Sequence, residues 1–67
     1  MIVHGKIIEY DGSSGFIKDT EGNTYILAKH NILYKNPKVG DYVSFIPEVY
    51  KTVEIEEKIA VFVQLIK

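Results

Sequence analysis

The chain has 67 residues, 46% hydrophobic and 12% aromatic, with Lys+Arg 8 against Asp+Glu 9 and a formal charge of -1. A chain of this length buries only about 60% of the surface its unfolded form exposes, which leaves room for one domain and none for a deep catalytic cleft. The apolar content excludes disorder, and the absence of cysteine excludes disulfide scaffolds, zinc ribbons, iron–sulfur sites and thiol nucleophiles.

Short apolar stretches separated by turn residues recur along the chain, and no segment before the C-terminal third sustains a helical period, so the pattern is all-β. Ile2 to Tyr10 reads as a first strand, stopped by Asp11-Gly12-Ser13-Ser14-Gly15. Phe16-Ile17-Lys18 resumes as a second strand, Asp19 to Asn23 turns, and Thr24 to Ala28 forms a third, completing a meander. Period-two alternation places Lys6, Ile8 and Tyr10 on one face of the first strand and Phe16 with Lys18 on one face of the second, with Ile7 and Ile17 inward. Tyr25 and Leu27 are core positions of the third strand.

Lys29 to Asn36 reads as a loop with one helical turn around Asn31 to Tyr34, closed by Pro37-Lys38-Val39-Gly40-Asp41. Tyr42 to Ile46 is a fourth strand, with Pro47 marking its end because proline cannot donate to a ladder. Ile59 to Ile66 is the fifth. Glu48 to Lys58 contains neither Gly nor Pro. Its Val, Thr and Tyr content favours an extended ribbon prolonging strands four and five, over a helix supported by the Glu54 and Lys58 spacing. The glutamates near its end, Glu54, Glu56 and Glu57, suit a solvated edge that resists strand-to-strand aggregation.

The longest apolar run, Ile59 to Val63, falls far short of the roughly 20 residues a membrane helix needs, and the first residues lack the form of a secretion signal. A cytoplasmic protein without a membrane partner is the expectation. Ser13 and Ser14 have no identifiable His–Asp companions, Asp19 and Glu21 are turn residues, and His4 and His30 do not make a metal motif. The chain therefore reads as non-enzymatic, with no cofactor or metal.

Three strands in a meander, a longer connection and two further strands is the layout of a small five-stranded Greek-key barrel of the OB type. From Gly5-Lys6-Ile7-Ile8-Glu9-Tyr10-Asp11 and Gly15-Phe16-Ile17, the chain resembles the bacterial cold-shock domain family. The resemblance continues through Gly22, Tyr25-Ile26-Leu27, Ile32, Val39 to Phe45 and Ala60 to Ile66, covering nearly all of residues 1–67. It implies a cold-shock-like barrel that stacks single-stranded RNA or DNA on aromatic side chains of its first three strands. The family motifs K-G-F-G-F-I and V-F-V-H-F are incomplete here. Phe16 keeps one aromatic of the first while Ser14 replaces the other, and Glu9-Tyr10 stands for a Trp-Phe pair. Ile26, Ala28 and Lys29 replace the aromatic, histidine and final aromatic of the second.

The resemblance assigns base contacts to Tyr10 and Phe16, with Ile8 and Ile26 between them, and phosphate contacts to Lys6, Lys18, Lys29 and His30. Stacking is worth roughly 1–3 kcal/mol per base, so two aromatics supply about 2–6 kcal/mol, whereas a micromolar complex requires about 8 kcal/mol. The expected binding is weak and salt-sensitive. A protein-interaction module or homodimer on the same barrel is the competing expectation, because an apolar patch ringed by lysines also suits a protein partner. Gly40-Asp41-Tyr42-Val43 also resembles the fourth strand of another OB family, that of bacterial translation initiation factor one, but Gly15-Phe16-Ile17 and the C-terminal strand match the cold-shock family better.

Overall fold

Alternation of β-branched and polar residues produces five strands in the computed structural model, which describes residues 1–66. These are β1 (Val3–Tyr10), β2 (Ser14–Asp19), β3 (Thr24–Ala28), β4 (Tyr42–Lys51) and β5 (Glu56–Leu65). They close into a barrel of order β1-β2-β3-β5-β4, with β3 and β5 parallel and β1 antiparallel to β4. This is a small OB-type Greek-key barrel.

Inward positions from every strand meet in one core of Ile7, Ile17, Tyr25, Leu27, Val43, Phe45, Ala60 and Val63. The rings of Tyr25 and Phe45 pack edge to face at 4.8 Å, the geometry favoured by the aromatic quadrupole. Gly5 lies where a Cβ would come within 2.7 Å of the Ile17 methyl and 2.8 Å of the Lys18 carbonyl. The close approach of β1 to β2 therefore needs glycine there.

Two turns are held by aspartates rather than by tertiary contacts. Asp11 Oδ1 accepts the N–H groups of Ser13 and Ser14, both at 2.9 Å, and Gly12 takes the positive φ of 95° the turn requires. Asp19 Oδ1 accepts the N–H groups of Glu21 and Asn23, while Oδ2 accepts the Asn23 amide and the Tyr25 hydroxyl. The Ser14 and Ser13 N–H groups hold the Asp11 carboxyl below its ordinary pKa. Burial pushes Asp19 upward, but its bonds from Asn23, Tyr25 and Glu21 outweigh that and the net shift is downward.

A carboxylate whose pKa is lower folded than unfolded stabilises the fold above its unfolded value and loses that contribution as pH falls through the folded value. Stability is thus expected to be flat between about pH 5 and the onset of tyrosine titration at about pH 9, and to decline below about pH 4, near the unfolded Asp pKa of about 3.9. Urea midpoints measured across this window should show a shallower acid decline in the Asp11→Asn/Asp19→Asn variant. An unchanged acid limb would contradict the two turns as its source.

Three boundaries depart from the sequence expectations. First, β4 runs through Pro47 to Lys51 rather than ending at Ile46. Pairing with β1 stops at Phe45 opposite Val3, so beyond it β4 has β5 alone as neighbour, and an edge position tolerates a missing donor. Second, the helical turn is a 3-10 turn at Lys29–Asn31 rather than around Asn31 to Tyr34. Ile32 instead bridges Val63, and the Leu33 N–H bonds the Val63 carbonyl at 2.8 Å, drawing that segment into extended contact with β5. Third, β5 ends at Leu65 rather than Ile66, while its start at Glu56 belongs to the expected ribbon.

The segment from Glu48 to Lys58 is the extended ribbon, with pairs from Glu48 opposite Ile59 to Lys51 opposite Glu56. Thr52 closes its tip without glycine or proline. The Thr52 N–H donates to the Ile55 carbonyl at 2.7 Å, and the Ile55 N–H donates to Thr52 Oγ1 at 3.0 Å. The single helical element among the described residues is the three-residue 3-10 turn, and no helix is long and apolar enough to cross a membrane.

Candidate nucleic-acid interface

The outer face of β1, β2 and β3 carries most of the residues assigned to ligand contact, but a β-bulge changes which aromatic belongs to it. Pairing runs Ile7 to Ile17, then Glu9 to Phe16 and Tyr10 to Gly15, so β1 advances two residues while β2 advances one. An extra residue shifts the alternation by one. Lys6 and Ile8 remain outside, whereas Tyr10 turns in and packs against the core with Val3, Ile32 and Tyr34. Tyr10 is therefore not part of the outer platform, contrary to the period-two expectation. Glu9 takes the position beside Phe16.

Gly15 permits that bulge. A Cβ on Gly15 would overlap the Glu9 carbonyl and approach the Tyr10 Cα at 2.8 Å. Only a residue without a side chain lets the bulged strand lie that close.

Phe16 points outward, 39% exposed, in a depression of about 290 Å³ lined by Glu9, Asp11, Ser14, Gly15 and Ile26. Two residues along the same face of β2 is Lys18, which pairs with Lys6 on β1. Lys6 in turn pairs with Tyr42 on β4, and its ammonium lies 5.5 Å from the centre of the Tyr42 ring. Tyr42 is 60% exposed. Lys6, Ile8, Lys18 and Tyr42 share a second, larger groove of about 440 Å³ whose wall is completed by His4, Asp19 and Ile66.

Tyr42 is thus the aromatic that alternation within the first three strands missed. Its signal was present in β4, where Tyr42 alternates with the buried Val43 and Phe45. Closure of the barrel between β1 and β4 then sets it beside Lys6. With strands about 4.8 Å apart and residues about 3.3 Å apart along each, Tyr42 and Phe16 are separated by roughly 12 Å, with Ile8 and the two lysines between them.

Lys29 and His30 lie elsewhere. Both belong to the exposed 3-10 turn after β3, and the Lys29 N–H bonds the Ser13 carbonyl at the far end of β2 from Lys18. The Lys29 side chain borders a separate depression with Ile32, Tyr34 and Lys35. There the Tyr34 hydroxyl donates to Asp41 at 2.9 Å; burial, then this bond, raises the tyrosine pKa. The structure brings together Lys6, Ile8, Phe16, Lys18 and Ile26 and adds Tyr42, while Tyr10 turns to the core and Lys29 and His30 follow β3 in a turn beside the Ser13 end of β2, with Lys29 bordering a neighbouring depression.

The charge pattern is divided. Lys6 and Lys18 make the larger groove cationic, and the Asp19 carboxylate at its rim is already occupied by four hydrogen bonds. Glu9 and Asp11 make the Phe16 depression anionic. A phosphate is favoured over the lysines and disfavoured beside Phe16, where an uncharged ring is the better occupant. In comparison with known proteins, no family model and no curated protein matches this chain.

Proposed function

We propose that this barrel is a small, non-enzymatic cytoplasmic protein that binds single-stranded RNA or DNA weakly, in the manner of a reduced cold-shock domain. The observation that carries the reading is the cross-strand pair Lys6 and Lys18 set between two exposed aromatics, Tyr42 and Phe16. Bases stack on the two rings, Ile8 and Ile26 fill beside them, and the lysines meet the phosphates between.

The magnitudes set the affinity range. Two stacked bases supply about 2–6 kcal/mol, short of the roughly 8 kcal/mol of a micromolar complex. The Lys6 ammonium over Tyr42 is an exposed cation–π contact worth about 0.5–1 kcal/mol. A stacking base outcompetes it and frees the ammonium for phosphate. Two phosphate contacts give a salt slope of about -1.4 on a single strand, at roughly -0.7 each.

Phe16→Ala is expected to weaken binding of a fluorescent oligopyrimidine by about 1–3 kcal/mol, read as anisotropy at low salt, with the circular dichroism of the barrel retained. Tyr10→Leu keeps an apolar side chain against the core but removes the ring, and should leave affinity unchanged where the circular dichroism is retained. An unaltered titration for Phe16→Ala would overturn the platform, and a large loss for a folded Tyr10→Leu would return base contact to the first strand's end.

A further inference from the structure

The ribbon beyond the barrel is an arm with its own chemistry. From Glu48 to Lys58 it carries four carboxylates against two lysines, a formal -2, leaving the rest of the chain at +1 within the overall -1. Val49, Tyr50, Val53 and Ile55 are each more than half exposed on it. Its edges are open, because β4 has lost β1 after Phe45 and β5 meets β3 only from Ile59 onward. The molecule is 37 Å long against 23 and 18 Å in its other dimensions, and the ten-residue strands β4 and β5 supply that length.

The groove over β1 is the chemical complement of this arm. It offers the ammonium groups of Lys6 and Lys18 around the apolar surfaces of Ile8, Tyr42 and Ile66. We propose that the arm of one copy seats in the groove of a second copy and the second arm in the first groove, closing a two-fold dimer. Glu54, Glu56 and Glu57 would face the lysines, Glu56 exchanging its exposed 3.8 Å pair with Lys51 of the same arm for the groove, and Val53 and Ile55 would cover the apolar floor. A self-complementary contact made twice closes without open ends. Opposite charge at its rim supplies register and rate, while the covered aliphatic and aromatic surface supplies affinity. The inference stands on the arm and the groove alone and does not require that the groove take an oligonucleotide.

Charge reversal tests it with residues that are all exposed. Sedimentation equilibrium of the unaltered chain at low salt should show a monomer passing to a dimer as concentration rises. Lys6→Glu/Lys18→Glu sets acid against acid, and Glu54→Lys/Glu56→Lys/Glu57→Lys sets base against base. Each variant alone should raise the dimer Kd by about tenfold or more, given that opposed like charges cost several kcal/mol. Mixing the two variants gives one contact of the native sense and one with both charges reversed, each attractive, and should restore the dimer mass. Circular dichroism of each variant confirms that the barrel persists. A monomer up to millimolar concentration, a dimer that neither reversal weakens, a mixture that stays monomeric, or an open-ended series of masses would overturn the proposal.

Discussion

Gly15→Ala is expected to lower stability by about 3 kcal/mol, the upper part of the range for an overpacked site. A 67-residue domain has roughly 3–10 kcal/mol in total at 0.05–0.15 kcal/mol per residue, so a large part of its stability is at stake. The reason is the nature of the obstacle. An added Cβ meets the Glu9 carbonyl and the Tyr10 Cα, which are backbone and cannot rotate aside. To admit it, β1 must lift from β2 at the bulge, moving Glu9 away from Phe16 and loosening Tyr10 from the core. Gly12→Ala is the control. Nothing lies within 4 Å of its added Cβ, and its cost is limited to about 1–2 kcal/mol for the positive φ. Urea midpoints of the two variants measure the difference, and a Gly15→Ala barrel as stable as the parent would contradict the bulge.

Phe45→Ala is expected to cost about 3–5 kcal/mol, the usual range for removing a buried phenyl ring. Phe45 is 1% exposed and its ring meets Tyr25 edge-on. Its loss leaves a void at the centre of a core of only eight buried residues. Phe16→Ala, on the outer face, is expected to shift stability by less than about 1 kcal/mol, since half-exposed surface sites away from caps and networks change little. The pair separates a phenylalanine that holds the barrel together from one free to meet a ligand. Equal destabilisation by both would place Phe16 in the core.

Phe62 fits neither role. It is 61% exposed and holds a φ of 52°, where a bulky side chain is strained. Pairing between β4 and β5 slips there, from Ser44 opposite Gln64 to Ile46 opposite Val61. That slip lets Ala60 and Val63, an odd number of residues apart, both face inward.

Strand existence was legible because turn chemistry and alternation agreed at each element. Ile7, Ile17, Tyr25, Leu27, Val43 and Phe45 occupy the inward positions their spacing implies. The ribbon was legible from β-branched content, although its tip carries no glycine, because Thr52 closes the turn with its own hydroxyl and N–H.

Both bulges were not legible, and the one in β1 accounts for the misplacement of Tyr10. A bulge inserts one residue without altering composition, so a period-two reading continues through it on the wrong face. Tyr10 is the result in β1. Gly15 was the available signal, since a glycine opposite a strand end marks a close backbone approach as readily as a turn. Tyr42 was missed for a different reason: its partnership with Lys6 depends on barrel closure across 36 residues of chain, which local patterning does not report. Pro47 cannot donate to a ladder, but past Phe45 β4 has β5 alone as neighbour, and an edge strand tolerates the missing donor.

Ligand contact over Lys6, Ile8, Phe16, Lys18 and Tyr42 is read by an amide-resolved NMR titration with a short oligopyrimidine at low and then higher salt. Shifts at those residues and Ile26, joined by residues 48–58 where the oligonucleotide displaces a seated arm, and reversed by salt with a slope near the -1.4 expected for two phosphate contacts, are the expected result. Absence of shifts at near-millimolar oligonucleotide, or shifts centred on Lys29, His30 and Tyr34 instead, would contradict it.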